Sequence, residues 1–245
     1  MKKPHSLAPL ANHPKKLFVG TLCFLALTFL SLSGGADLPI RDLSGSKTLG
    51  FYERKVENDE QGKVKWIQTE YFSPGRELLV VEQATFEAGQ VKLYEIDHKQ
   101  TSQKGKIRFS SNQVSYEKTD EKGVTKSSHE KPAGMTLAPL ALVPFIESQL
   151  ENLRKGETLE FRIAVWDRME SVGMRLKMHK APSTQDPSLT LKMEPSSFLI
   201  RQLVNPFYFF VNSEGRVTKV QGRLAFKEVS GNKLKDIEGL LPILE

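Results

Sequence analysis

The sequence predicts a mainly β fold with one or two helices, a curved antiparallel meander forming an incomplete barrel around a central amphipathic helix. Three observations lead there. From Lys47 onward, strand-like runs follow one another at spacings too short for intervening helices. Three later runs alternate apolar and polar residues strictly enough to require a sheet covered on one face. Only the stretch Leu137 to Arg154, LAPLALVPFIESQLENLR, carries a long helical stripe, and such a stripe needs a surface to cover.

The first segment reads as an export signal. Lys2, Lys3, Lys15 and Lys16 precede an apolar run from Leu17 to Leu32, and Ser33, Gly34, Gly35 and Ala36 follow. This is the charged, apolar, small-residue order of a secretory signal peptide, with cleavage expected after Ala36. The rival reading is an uncleaved anchor, because Leu17 to Ala36 approaches the roughly 20 residues that span a bilayer. Residues 1–36 are therefore assigned to the signal, 37–46 to a linker containing Pro39, Gly45 and two serines, and 47–245 to one β-rich domain.

The strand runs are Thr48 to Val56, Lys63 to Phe72, Glu77 to Phe86, Gln90 to His98, Lys106 to Ser110 and Gln113 to Lys118. Turn chemistry separates them at Asn58 to Gly62, Ser73-Pro74-Gly75, Ala88-Gly89, Lys104-Gly105 and Asp120 to Gly123. The polar segment from Thr119 to Gly134 reads as a hairpin tip or mobile loop. In the helix, Pro144 suits the first helical position, Val143, Ile146, Leu150 and Leu153 share a face, and Gly156 ends it.

Behind the helix, Leu159, Phe161, Ile163 and Val165 alternate with polar residues, as do Val172 to Met178 and Leu189 to Met193. Pro195 to Leu203 predicts a short second helix with Phe198, Leu199 and Leu203 on its apolar stripe. Phe207 to Val211 and Arg216 to Lys227 form a hairpin around Asn212-Ser213-Glu214-Gly215. Gly222, in mid-strand, predicts a bend or the close approach of something bulky. The apolar tail Leu240 to Leu244 is expected to dock on the body.

The whole chain has 35 basic and 29 acidic residues; removing the four leader lysines leaves 31 against 29, a net of +2. That balance gives no concentrated basic patch and no case for nucleic acid. Cys23 is the chain's one cysteine and lies in the leader, with Leu22 disfavouring a lipidation signal, so the remaining chain relies on its core alone.

Enzyme chemistry finds no foothold. There is no G-x-S-x-G elbow after the leader, no phosphate-binding glycine loop, and no H-E-x-x-H; His98, His129 and His179 are widely spaced and read as strand-end or loop residues. Asp167 and Glu170 form a carboxylate pair of the kind glycosidases use, but they flank a turn where charged residues are ordinarily just solvated. No metal or cofactor is expected. Met169, Met174, Met178 and Met193 fall in one 25-residue region, suiting either an adaptable apolar surface or ordinary core filling. Phe207-Tyr208-Phe209-Phe210 must place rings on both faces of its strand. Trp166 shares a face with Arg162 and could lie at a rim.

The order of meandering strands, central helix, further strands, the E-P-S-S-F helix from Glu194 and N-P-F-Y-F-F-V-N-S-E-G-R with its closing strand resembles the periplasmic half-barrel carriers of the LolA/LolB-like type and related exported domains. The likeness covers most of the chain after the leader in architecture, and Glu194 to Phe226 in residue pattern. It implies an incomplete barrel whose concave face holds acyl chains or an apolar protein segment. On this reading the protein is an exported, periplasmic binding protein for a lipid or lipid-linked ligand, lined by Phe145, Ile146, Phe161, Ile163, Met174, Met178, Phe209 and Leu224. All eight are equally compatible with ordinary core. The alternative is an envelope interaction or assembly protein with a filled core and a protein partner. Contact with a membrane is expected only through an uncleaved leader.

Overall fold

The computed structural model describes residues 37–181, 188–231 and 233–243, and the signal-peptide and Cys23 readings lie outside them. The chain enters the fold earlier than the linker reading allowed. Leu38–Arg41 is a strand, β1, and only Asp42 to Lys47 behaves as a turn, closed by Asp42 accepting the backbone N–H groups of Ser46 and Lys47. A four-residue strand with a proline at its second position carries too little alternation to be read from sequence.

A meander follows: β2 (Thr48–Asn58), β3 (Val64–Phe72), β4 (Leu78–Glu87), β5 (Gln90–His98), β6 (Gln103–Phe109), β7 (Val114–Thr119) and β8 (Thr125–Glu130). Two sequence expectations are corrected here. Lys104-Gly105 is not a turn but lies within β6, where a Cβ on Gly105 would stand 2.7 Å from Trp166 Cε3; glycine serves close approach. The polar segment after Thr119 does hold a hairpin tip, Asp120 to Gly123, but Thr125–Glu130 beyond it is strand β8, paired with β7. β8 carries polar residues on both faces, so alternation could not reveal it.

β9 (Thr136–Leu137) leads into the helical stretch, which is broken where one long helix was expected. A 3₁₀ turn (Pro139–Ala141) precedes α1 (Leu142–Ser148) and α2 (Leu150–Arg154), with the break at Gln149. Pro144 is the third residue of α1, where its missing N–H would have had no intrahelical partner anyway. The apolar stripe itself holds: Ile146, Leu150 and Leu153 are buried.

The second half returns as β10 (Leu159–Val165), β11 (Glu170–Lys180), β12 (Leu189–Pro195), α3 (Phe198–Arg201), β13 (Phe207–Val211), β14 (Val217–Ser230) and β15 (Lys233–Pro242). β15 is longer than the apolar tail, since its first half is polar and hairpin-paired with β14. β12 is buried on both faces, Thr190 and Glu194 included, so the one-sided expectation fails there. The predicted stripe of α3 is also corrected: Phe198, Leu199 and Leu203 face solvent at 63%, 72% and 85% exposure. Gly222 behaves as expected, for a Cβ there would lie 2.3 Å from Phe207 Cδ1.

The fifteen strands among the described residues form one open sheet ordered β8-β7-β6-β5-β4-β3-β2-β1-β15-β14-β13-β12-β11-β10-β9. Neighbours pair antiparallel apart from β9 with β10. Two meanders thus meet at β1 and β15, where Arg41 faces Leu240. One face carries Tyr52, Tyr71, Tyr94 and Tyr116, all buried, and a core with Ile40, Ile67, Val80 and Ile107. Across the β1–β15 seam the same face carries a second core, in which Met174, Leu176, Leu191, Met193 and Phe209 meet the helical stripe. The β10–β11 turn is held against the opposite end of the sheet, with Ser128 Oγ donating to Met169 O at 2.8 Å and Lys118 Nζ to Asp167 O at 3.2 Å. Trp166 is therefore partly buried against the first core over Gly105. Among the described residues no helix is long and apolar enough to cross a membrane.

Candidate functional site

Three adjacent strands bring polar groups to the tyrosine face. Cross-strand pairing sets Arg54 opposite Thr69 and Thr69 opposite Glu82, one row across β2, β3 and β4. Glu82 is buried and accepts hydrogen bonds from Tyr71 Oη at 3.0 Å and Tyr94 Oη at 2.5 Å. Burial pushes its carboxyl above the usual carboxylate range; the two phenols and Arg54 oppose that shift. Burial likewise drives the Tyr71 and Tyr94 hydroxyls well above the ordinary phenol value. The Arg54 guanidinium is held below its ordinary value by burial, against the attraction of groups that include Glu147 and Glu82. The Thr69 hydroxyl is buried without a hydrogen-bond partner. A carboxyl whose two oxygens already serve two buried phenols is placed to hold strands together, not to transfer protons to a substrate.

A second constellation lies where the β14–β15 hairpin crosses the end of the first meander. The Gln100 side-chain amide, on the turn after β5, makes both backbone hydrogen bonds of Lys227, each 2.9 Å. Lys47 Nζ reaches Glu228 Oε1 at 3.1 Å. Phe226 packs into the first core against Tyr71, ring centroids 6.2 Å apart. Beneath this strap sits His98, 3% exposed, with neither ring nitrogen in a hydrogen bond. Burial and then the nearby Lys227 charge lower its pKa from the ordinary imidazole value.

Beside the strap is a groove of about 410 Å³. Leu49, Leu79, Phe226, Val229, Leu234 and Ile237 give it an apolar floor and lip, with Lys47, Glu77, Lys227 and Glu228 among its polar margins. Its charges are matched in sign, Lys47 with Glu228 and Lys227 with Asp236 at 2.7 Å, so it presents no net attraction for an ionic ligand. A groove of about 330 Å³ on the other face of β4 to β7 is polar, lined by Glu95, Asp97, Lys104, Lys106 and Glu117 with others. There Lys106 pairs with Glu95 at 2.7 Å and Lys104 with Asp97 at 3.4 Å, which leaves little unspent charge for a ligand. Among the described residues no three His, Asp, Glu or Cys side chains are grouped to hold a metal ion.

The residues nominated from sequence lie elsewhere. Phe145, Ile146, Phe161, Ile163, Met174, Met178 and Phe209 all belong to the second core, with the Phe145 and Phe161 rings edge to face at 5.2 Å. Leu224 is partly buried against the first core. Neither groove is lined by any of the eight. Sequence reasoning missed Arg54, Glu82 and Gln100; His98, read as a strand-end or loop residue, does close β5. Glu82 did leave a signal, since it shares its strand face with the buried Val80 and Ala84. Comparison with models of protein families, with curated proteins and with solved structures finds no match to this chain.

Proposed function

We propose that the chain is an exported, periplasmic binding protein for a lipid or another apolar ligand, built as a half-barrel of the carrier type around its helical segment. The ligand lies in the groove beneath the β14–β15 strap, not among the side chains nominated from sequence. The observation that carries this reading is the groove itself: about 410 Å³, within the usual range of small-molecule sites, with Val229 and Leu234 left 69% and 39% exposed on its lip. Two apolar side chains held out at the mouth of an apolar concavity favour burial by an apolar guest. The matched margin charges favour a guest, or the part of one, that carries no charge.

Native mass spectrometry of the protein from its exported fraction, followed by organic extraction, tests this. An apolar adduct that disappears in Val229→Asp/Leu234→Asp supports it; an adduct that survives the double substitution, or none in either protein, refutes it. A second reading, an envelope assembly protein with a filled core, draws support from the seven nominated residues packed in the second core. It predicts a recovered protein partner and no adduct.

A further inference from the structure

Three of the four most exposed large apolar side chains among the described residues gather on one connection. Phe198, Leu199 and Leu203, between β12 and β13, are 63%, 72% and 85% exposed, although sequence periodicity would have buried them. They occupy one short helical turn and its exit, between the end of β12 and the start of β13. Antiparallel order fixes their company. β1 ends, β15 begins, β14 ends and β12 ends on the same side of the sheet, which brings Leu43 of the β1–β2 turn, Val229 and Leu234 to that side too; these are 48%, 69% and 39% exposed.

Cations outnumber anions at the β12 end of this connection. Glu194, at the end of β12, faces Lys192 at 2.7 Å, Arg201 at 3.5 Å and Lys177 at 3.9 Å, three positive charges against one negative. Across the sheet end, residues 223–238 add Arg223, Lys227, Lys233 and Lys235 against Glu228, Asp236 and Glu238, a net of +1, with Glu238 Oε1 accepting from Asn205 Nδ2 at 2.7 Å. We propose that this end docks on an anionic lipid bilayer, with Phe198, Leu199 and Leu203 entering the interface and Lys177, Lys192 and Arg201 meeting lipid phosphates. Exposed apolar side chains next to an excess of cations match the chemistry of interfacial insertion, in which apolar side chains sink several ångströms below headgroups and basic residues stay at them. A protein partner of ordinary interface size would instead need a broad complementary face. The proposal is independent of what the groove holds.

The test uses the full chain with Cys23→Ser and an environment-sensitive fluorophore on Leu203→Cys, a position exposed enough to leave folding undisturbed. A second protein carries the same fluorophore on Val56→Cys, at the opposite end of β2 and 43% exposed. The label reports contact at its own site whatever the N-terminal residues do. Vesicles with equal parts phosphatidylglycerol and phosphatidylcholine should blue-shift and brighten the label at position 203 and leave that at 56 unchanged. Adding Lys177→Gln and Lys192→Gln should weaken the apparent partitioning about tenfold or more, each cation near an anionic surface being worth roughly fivefold. The idea is overturned by no shift at 203, by equal shifts at both positions, or by a shift that persists with pure phosphatidylcholine and in high salt.

Discussion

If burial holds the Glu82 carboxyl above its ordinary range between two phenols, its replacement by glutamine and by alanine must differ sharply. Glutamine keeps the size, and its amide can accept from one tyrosine and donate to the other, so Glu82→Gln should cost only about 1 kcal/mol. Glu82→Ala leaves the Tyr71 and Tyr94 hydroxyls buried and unpaired, at about 1–3 kcal/mol each, or roughly 2–6 kcal/mol together. For a chain of this length that is a fall in Tm of very roughly 5–20 °C. The pH dependence carries a definite sign. A carboxyl with its folded pKa raised above the unfolded value of 4.5 takes up its proton on folding. The stability this contributes is complete below the unfolded value and is lost as pH rises through the folded one. The wild-type advantage over Glu82→Gln should therefore shrink as pH rises from about 4.5. Urea unfolding followed by tryptophan fluorescence across that range reads both effects. A glutamine variant as damaged as the alanine variant, with a pH-independent difference from wild type, would refute a raised carboxyl at Glu82.

Four other expectations follow from the packing. Gly222→Ala drives a Cβ to within 2.3 Å of the Phe207 ring and should destabilise by about 1–3 kcal/mol or more, read by urea midpoint. Ile146→Ala empties a fully buried site in the second core and should cost about 2–5 kcal/mol by the same assay. Gln100→Ala removes both side-chain bonds to the Lys227 backbone, so hydrogen exchange should quicken at Lys227, whose N–H loses its acceptor, while β10 and β11 stay protected. His98 has a lowered folded pKa, so its contribution is present above the unfolded value of 6.5 and is lost as pH falls below it. His98→Leu should accordingly flatten the decline in Tm between neutral and mildly acid pH; an unchanged slope would exclude His98 as its source.

Alternation was the legible part of this fold. Strands such as β5 and β13, with one wet face or strong punctuation, were read to the residue. Elements failed where that signal was missing: β1 is four residues long, β8 is polar on both faces, and the first half of β15 is a run of charged and apolar residues exposed at a hairpin tip. The α3 turn failed for a different reason. Its periodicity was real, but periodicity says which residues share a face and not whether anything covers that face. The groove could not have been foreseen, because its walls come from residues 47–49, 73–79, 100 and 226–237 and share no local pattern.

Those walls meet only because the first and last strands are neighbours. The β1–β15 seam closes a sequence separation of about two hundred residues, yet its ladder consists of the single register pair Arg41 with Leu240, whereas β2 and β3 share eight pairs. Other contacts must compensate. Tyr52 donates its hydroxyl to Pro242 O, Gln100 grips Lys227, and Lys47 reaches Glu228. Gly239 lets the Arg41 carbonyl come close, since a Cβ there would lie 2.7 Å from that oxygen. A junction stitched mostly by side chains, after the entropic cost of a long loop closure, should open at lower free energy than the ladders within either meander. Native-state hydrogen exchange resolves this directly: amides of β1 and of the part of β15 facing it should exchange through a sub-global opening, and those of β3 to β5 only through global unfolding. Should β1 prove as protected as β4, the seam would be part of one cooperative sheet, and the groove would have no built-in route for widening around a guest.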